Sequence, residues 1–255
     1  MRPATPLLSA TASAIIFIFA WLVLRRYTQR RSRHLLIWGI GLILFGTASL
    51  AEAYSAVAWH PLVFRLWYLG GAMLCAAWIG QGTVWLLAGA EPPSAFRRLL
   101  LRRWPAQRVA MLLTWLLTAA SLAAAFAVFA APLDASAFDA ARPLSAQYRE
   151  ILPRGAPVRR LTPVFNLYGT LTLSGGALYS AWLLRRREIM AHRVLGNVLI
   201  ALGALAIASA GAVVRLGLGD YLSLGELLAA ALMFSGFLLA AGRAPDPSAA
   251  QGAQA

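Results

Sequence analysis

Seven stretches of predominantly apolar residues, each about as long as a bilayer-spanning helix needs, constrain this chain more than any other feature. They are Leu7–Leu24, Leu35–Tyr54, Leu66–Leu87, Val109–Ala131, Pro163–Leu184, Val194–Leu216 and Leu222–Ala241. Only 13% of the 255 residues are charged, about half of what a soluble domain carries. The expectation is an all-α integral membrane protein, a bundle of seven transmembrane helices over residues 1–243. An extracytoplasmic loop, 132–162, and a disordered cytoplasmic tail, 244–255, complete it.

The first stretch does not read as a cleaved signal, because its small residues, "SATASA", precede the apolar run and Arg25 and Arg26 follow it. Arginine then sets direction. The connection after the first stretch holds Arg25, Arg26, Arg30, Arg31 and Arg33; that after the third, Arg97, Arg98, Arg102, Arg103 and Arg108. That after the fifth holds Arg185, Arg186, Arg187 and Arg193. The positive-inside rule puts these connections in the cytoplasm, with the amino terminus outside and the carboxyl terminus inside, in the cell's inner membrane. The net charge of +14 is thereby an orientation signal, with membrane lipids as partners and no nucleic acid.

All 23 basic residues are arginine, and without a lysine no retinal Schiff base can form. Cys75 is alone, so no intramolecular disulfide exists, and His34, His60 and His192 lie too far apart in sequence to suggest a zinc site. No serine sits in G-x-S-x-G and no nucleotide-binding glycine loop appears. The expectations are no enzyme, no cofactor and no metal.

The ionisable residues within the spans point to a site, since charge in a bilayer usually faces a partner or a cavity. Glu52, Arg65, Arg215, Asp220 and Glu226 all fall near the outer ends of their helices, and Tyr68 lies one turn from Arg65. They form a candidate ligand-binding or ion-pair cluster, with Glu52 paired to Arg65 or Arg215 and Glu226 to Arg215. The competing reading is separate side chains reaching the interface. Gln81, Asn166, Tyr168 and Asn197 are candidates for hydrogen bonds between helices. Trp59, Trp67, Tyr68 and Tyr221 fit an outer aromatic belt, and Trp85 and Trp104 an inner one. Small residues at helical spacing predict packing stripes: Tyr68, Ala72, Ala76 and Gly80 below Arg65; Ala119, Ala123 and Ala127; and Ala204, Ala208 and Ala212. Leu144–Leu152 reads either as a short amphipathic helix across the outer face or as an ordinary loop.

Two longer patterns add to this. "AWLVLRR" (Ala20–Arg26) parallels "AWLLRRR" (Ala181–Arg187), and "LGGAMLCAAWIGQG" (Leu69–Gly82) parallels "LGELLAAALMFSGF" (Leu224–Phe237), which together would make a parallel three-plus-one-plus-three repeat. "LAEAY" late in the second stretch, "RLWYLGGAML" opening the third and "LGLGDYLSLGELLAAALMFSGFLLAAGR" at the end resemble the seven-helix amino-terminal sensory region of some bacterial histidine kinases. The resemblance implies a region that senses a signal at the membrane, with Glu52, Arg65 and the Asp220–Glu226 segment near its outer pocket. Two features depart from that family: no kinase follows Arg243, and the third stretch lacks a mid-helix proline. A separate signalling or transport partner would then carry the output.

The expected function is a non-enzymatic sensor-like or interaction module with a polar pocket near its outer face. The alternative is a small transporter, or transporter subunit, for an uncharged solute.

Overall fold

The computed structural model describes residues 4–89, 105–153, 155–186, 191–215 and 222–240, and every regular element among them is helical. Helix α1 (Ala4–Arg30) turns through Arg31 and Ser32 into α2 (Arg33–Ser55); Arg31 takes the left-handed conformation (φ 50°) that ends a helix tightly. The third rod is composite: α3 (Pro61–Trp67), a π-helical segment (Tyr68–Leu74) and α4 (Cys75–Ala88). Then come α5 (Ala106–Ala130), a short α6 (Leu144–Ile151), α7 (Val158–Arg186), α8 (Ala191–Arg215) and α9 (Leu222–Ala240). All seven apolar stretches are thus helical where described. Five rods are long and apolar enough to cross a membrane: Pro6–Arg30, Arg33–Ser55, Pro61–Ala88, Ala106–Ala130 and Leu222–Ala240. The chain is a multi-pass helical membrane protein. The tail 244–255, Trp104, Asp220 and Tyr221 lie outside the described residues.

The third rod starts earlier than its apolar run suggests. Pro61 occupies the first turn, where its missing N–H costs nothing, and His60 Nδ1 accepts from the Leu62 N–H at 3.2 Å. Arg65 is therefore one turn inside the helix instead of at its mouth.

Six rods close a ring, in the order α1, α2, α4, α7, α8, α9 and back to α1, while α5 leans on the outside of α4. The ring interior is apolar: Ile16, Phe19, Leu42, Phe45, Ile79, Leu173 and Met233 form its centre. A residual void of about 30 Å³ on this axis is lined by Phe19, Leu42, Ile79, Leu173, Ile200 and Met233, one from each rod, with Trp38 and Phe237 beside them. It offers a water no polar partner, so it is dry. The ring has two unlike ends. Arg26 lies over Phe237 and Arg33 over Trp85, so the arginine-rich turn of α1 and α2 shares one end with the finish of α4 and α9. Glu52, Glu226, Ser9 and Ser223 occupy the other.

Lipid tails are as apolar as leucine, so membrane helices hold together by close backbone approach and polar ties. The α4–α7 seam has both. Tyr68 bonds Thr162, Asn166 Nδ2 donates to the Ala72 carbonyl at 3.1 Å, Gly169 presses on Ala76, Gly80 on Thr172, and Gly176 on Thr83. A Cβ on Gly169 would lie 2.5 Å from the Ala76 carbonyl carbon. The stripe of Tyr68, Ala72, Ala76 and Gly80 is a packing surface, as expected. That on α5 is not: Ala119 and Ala123 are exposed and Ala127 half-buried, and the helix instead turns Ala110, Leu117, Ala124 and Val128 inward. Thr114 and Ser121 on that inner face bond Gln81, Trp85 and Trp78 of the third rod. In the third predicted stripe Ala204 is buried, and the side chains of Ala208 and Ala212 are outside the described residues.

Gly169→Val should overpack this seam and lower stability by about 1–3 kcal/mol in detergent. Ala123→Val, on the exposed side of α5, should leave it within about 0.5 kcal/mol. Thermal unfolding of the two variants checks the pair.

Candidate functional site

Glu52 and Glu226 are 3% and 4% exposed, the only charged side chains fully buried among the described residues. They reach one region from different helices. Ser49, one turn before Glu52 on the same face of α2, donates its hydroxyl to Glu226 Oε2 at 3.1 Å. Glu226 thereby lies against the turn of α2 that carries Glu52. Beside them Ser9 of α1 bonds Ser223 of α9 at 2.9 Å, and one turn deeper Ser13 bonds the Gly46 carbonyl. These hydroxyls form a small polar belt above the apolar ring interior.

The belt is closed by the connection between α5 and α7. The amphipathic segment Leu144–Leu152 forms a helix, α6, over Leu144–Ile151 and turns its apolar side into the bundle. Leu144, Ile151 and Leu152 pack with Phe64, Trp67 and Tyr68. Ser145 donates to Glu52 Oε1 through its hydroxyl at 3.3 Å and its N–H at 3.5 Å. The Trp67 indole and the Leu144 backbone approach the same carboxylate, yet Glu52 Oε2 meets no donor at hydrogen-bonding geometry. The cover is well built. Gln147, fully buried, donates to the Asp139 and Arg142 carbonyls and accepts from the Asp139 N–H, while Arg142 grips Glu150 with two bonds of 2.8 and 2.9 Å.

The expected Glu52–Arg65 pair does not form. Arg65 Nη2 donates to the Ala131 carbonyl at 3.0 Å, with the guanidinium over Phe129, and so caps the carboxyl end of α5, where a cation meets the helix dipole favourably. Among the described residues the one salt bridge is Arg142–Glu150. Arg215 ends α8 but its side chain lies outside the described residues, as does Asp220, so neither expected pairing with Arg215 falls within them. Tyr68 and Trp67 are buried in the aromatic cluster with Phe64 and Tyr148 instead of standing in an interfacial belt. The reason is the early start of the third rod, which draws both rings a full turn deeper and under α6.

Farther along the third rod, Gln81 is fully buried and fully used. Its amide donates to the Ala110 carbonyl and Thr114 Oγ1, and its oxygen accepts from the Tyr168 hydroxyl. It ties α4, α5 and α7 together, as Asn166 ties α7 to the Ala72 turn, so these are structural contacts. Sequence reasoning missed Ser49 and Ser145. The i−3 position of Ser49 relative to Glu52 was a usable signal; nothing local marks Ser145.

Separation of Glu52 from Arg65 predicts that Glu52→Ala and Arg65→Ala lose thermal stability additively. Glu52→Ala and Ser145→Ala should couple by about 0.5–3 kcal/mol. Double-mutant cycles on the purified protein read both. The cover also has a pH signature. The Arg142 guanidinium holds the Glu150 carboxyl below the usual carboxylate range, and the Ser136 hydroxyl and N–H do the same for Asp134. A depressed carboxyl contributes above its ordinary value and loses that contribution as pH falls through the depressed one. The protection of the α6 amides against hydrogen exchange, taken relative to the intrinsic rate at each pH, should therefore fall on acidification, and Glu150→Gln should show the lower protection already at neutral pH.

No family model matches the chain, and no curated protein or solved structure matches it.

Proposed function

We propose that this is a seven-span, non-enzymatic sensor-like or interaction module. In this reading α7 and α8 also cross the bilayer, the arginine-rich end faces the cytoplasm, and the Glu52–Glu226 end faces outward in the inner membrane. The observation that carries it is the pair of buried acids under a structured cover, set above a dry apolar axis. A polar group buried at cost near one surface, with no polar route onward, suits recognition at that surface better than passage across the bilayer. Lifting α6 from Ser145 would expose Glu52, and the same helix packs on Trp67 and Tyr68 of the third rod. Occupancy of the polar belt would thereby move a rod that runs the full length of the bundle. The resemblance of the Glu52, Arg65 and Glu226 segments to kinase sensory regions agrees with such a role. Anionic lipid or a partner protein would meet the arginine end.

A second reading, transport of an uncharged solute, draws on the ring order. Turning the ring half-way maps α1, α2, α4 onto α7, α8, α9 and leaves α5 outside, as a parallel three-plus-one-plus-three repeat requires. Both halves also cross closely at glycine, Gly41 on Ile79 and Gly203 on Met233.

Reconstituted proteoliposomes separate the readings. A panel of uncharged solutes should show no saturable uptake above protein-free vesicles. Saturable flux of any of them would displace the sensor reading.

A further inference from the structure

We propose that Glu52 and Glu226 form a binding site for a hard metal cation, covered by α6. The inference rests on the polar-site part of the reading above and identifies what that site takes. A carboxylate carried into an apolar interior is costly unless it is paired, protonated or bound to a metal. Here two are 3% and 4% exposed and joined through Ser49, one turn before Glu52 and bonded to Glu226, and among the described residues no basic side chain makes an ion pair with either. The nearest expected cation, Arg65, is engaged with the Ala131 carbonyl. The second observation is Glu52 Oε2, buried and without a donor, although Oε1 of the same group is bonded twice by Ser145. An oxygen with free lone pairs, one helical turn from the Ser49 hydroxyl that holds Glu226, is an open ligand position.

The donor set defines the ion. Glu52 Oε2, the Glu226 carboxylate and Ser49 Oγ are all oxygens, with the Ser145 hydroxyl at the edge. The Cys75 thiol is turned to the Gly71 carbonyl 3.2 Å away, so it does not join them. Oxygen-only sites suit calcium or sodium and disfavour the softer metals that need imidazole or thiolate. Ser49 already donates to Glu226; with a cation present the same hydroxyl oxygen can turn a lone pair to the metal while keeping that bond. The expectation of no metal was based on histidine and cysteine spacing, which does not test for such a site.

The test uses the full chain, purified in detergent after chelation, with unfolding followed by tryptophan fluorescence as calcium chloride or sodium chloride is titrated. A saturable rise in Tm with calcium or sodium is expected, with choline chloride at equal ionic strength giving none. Glu52→Gln and Glu226→Gln should weaken the midpoint at least about tenfold. Ser49→Ala, the milder change, gives the same reading by equilibrium dialysis of radiolabelled ion if either glutamine variant does not fold. No saturable rise with either metal, an equal rise with choline, or an unchanged midpoint in all three variants would overturn the proposal. So would an infrared carboxylic-acid band that persists at saturating metal and vanishes in Glu52→Gln, because the acids would then hold protons. Solute flux in vesicles would displace the sensor reading without moving these midpoints, so the two failures are distinguishable.

Discussion

A helix in hydrocarbon gains little by burying leucine against leucine, so this bundle depends on how closely its backbones approach. The third rod is where that constraint is met most fully. It touches α2, α5 and α7, and its α7 seam places Gly169 against the Ala76 backbone and Gly80 against Thr172. Its polar side chains face its neighbours too: Gln81 is shared among three helices, and Trp78 and Trp85 donate to hydroxyls of α5. Each such tie averages only about 0.6 kcal/mol in membranes. Their effect is on register: a slip of one residue along α7 would break the Thr162, Asn166 and Tyr168 bonds together.

The π-helical segment belongs to the same geometry. Tyr68–Leu74 inserts a wider turn between α3 and α4, and Gly70 there approaches the Leu44 carbonyl of α2 so closely that a Cβ would sit 2.9 Å away. Such wide turns often mark functional positions in helices. In this rod it begins at Tyr68, which with Trp67 just before it packs under α6. It lets the aromatic turn face the cover while the rest of the rod keeps its glycine and alanine face on α7.

What the sequence made legible follows from what its patterns encode. Apolar length marks where helices run, and arginine clustering separates the two ends; Arg26 and Arg33 do share one end. Depth was readable for Glu52 and Glu226, but azimuth was not. Charge complementarity along the chain says nothing about which way Arg65 points round its helix, and α5 offered its end instead. On α5 the run "TAASLAAAFAVFA" carries alanine at nearly every helical phase, so small-residue spacing had no power to choose a face. Thr114 and Ser121, seven apart, marked the buried side more reliably, because a hydroxyl gains from a partner that lipid cannot give. Ser145 was not legible at all, since its contact with Glu52 spans 93 positions and depends on α6 folding back over the bundle.

The two ends and the centre of the ring then explain one another. A dry apolar axis makes a poor route for charge, but it also withholds solvent from the acids above it. A carboxylate beside a water-filled channel would be hydrated and would need no structured cover; Glu52, set over Phe45 and Leu42, has no such recourse. Its free energy is governed by what the cover and the polar belt supply, and both are made of hydroxyls and backbone N–H groups, which are neutral. Neutral donors lower the cost of burying a carboxyl without supplying the opposite charge that would balance its ionised form. A group left in that condition is sensitive to any cation that reaches it, and α6, fastened to the rest of its loop by Gln147 and the Arg142–Glu150 pair, is the barrier such a cation must pass.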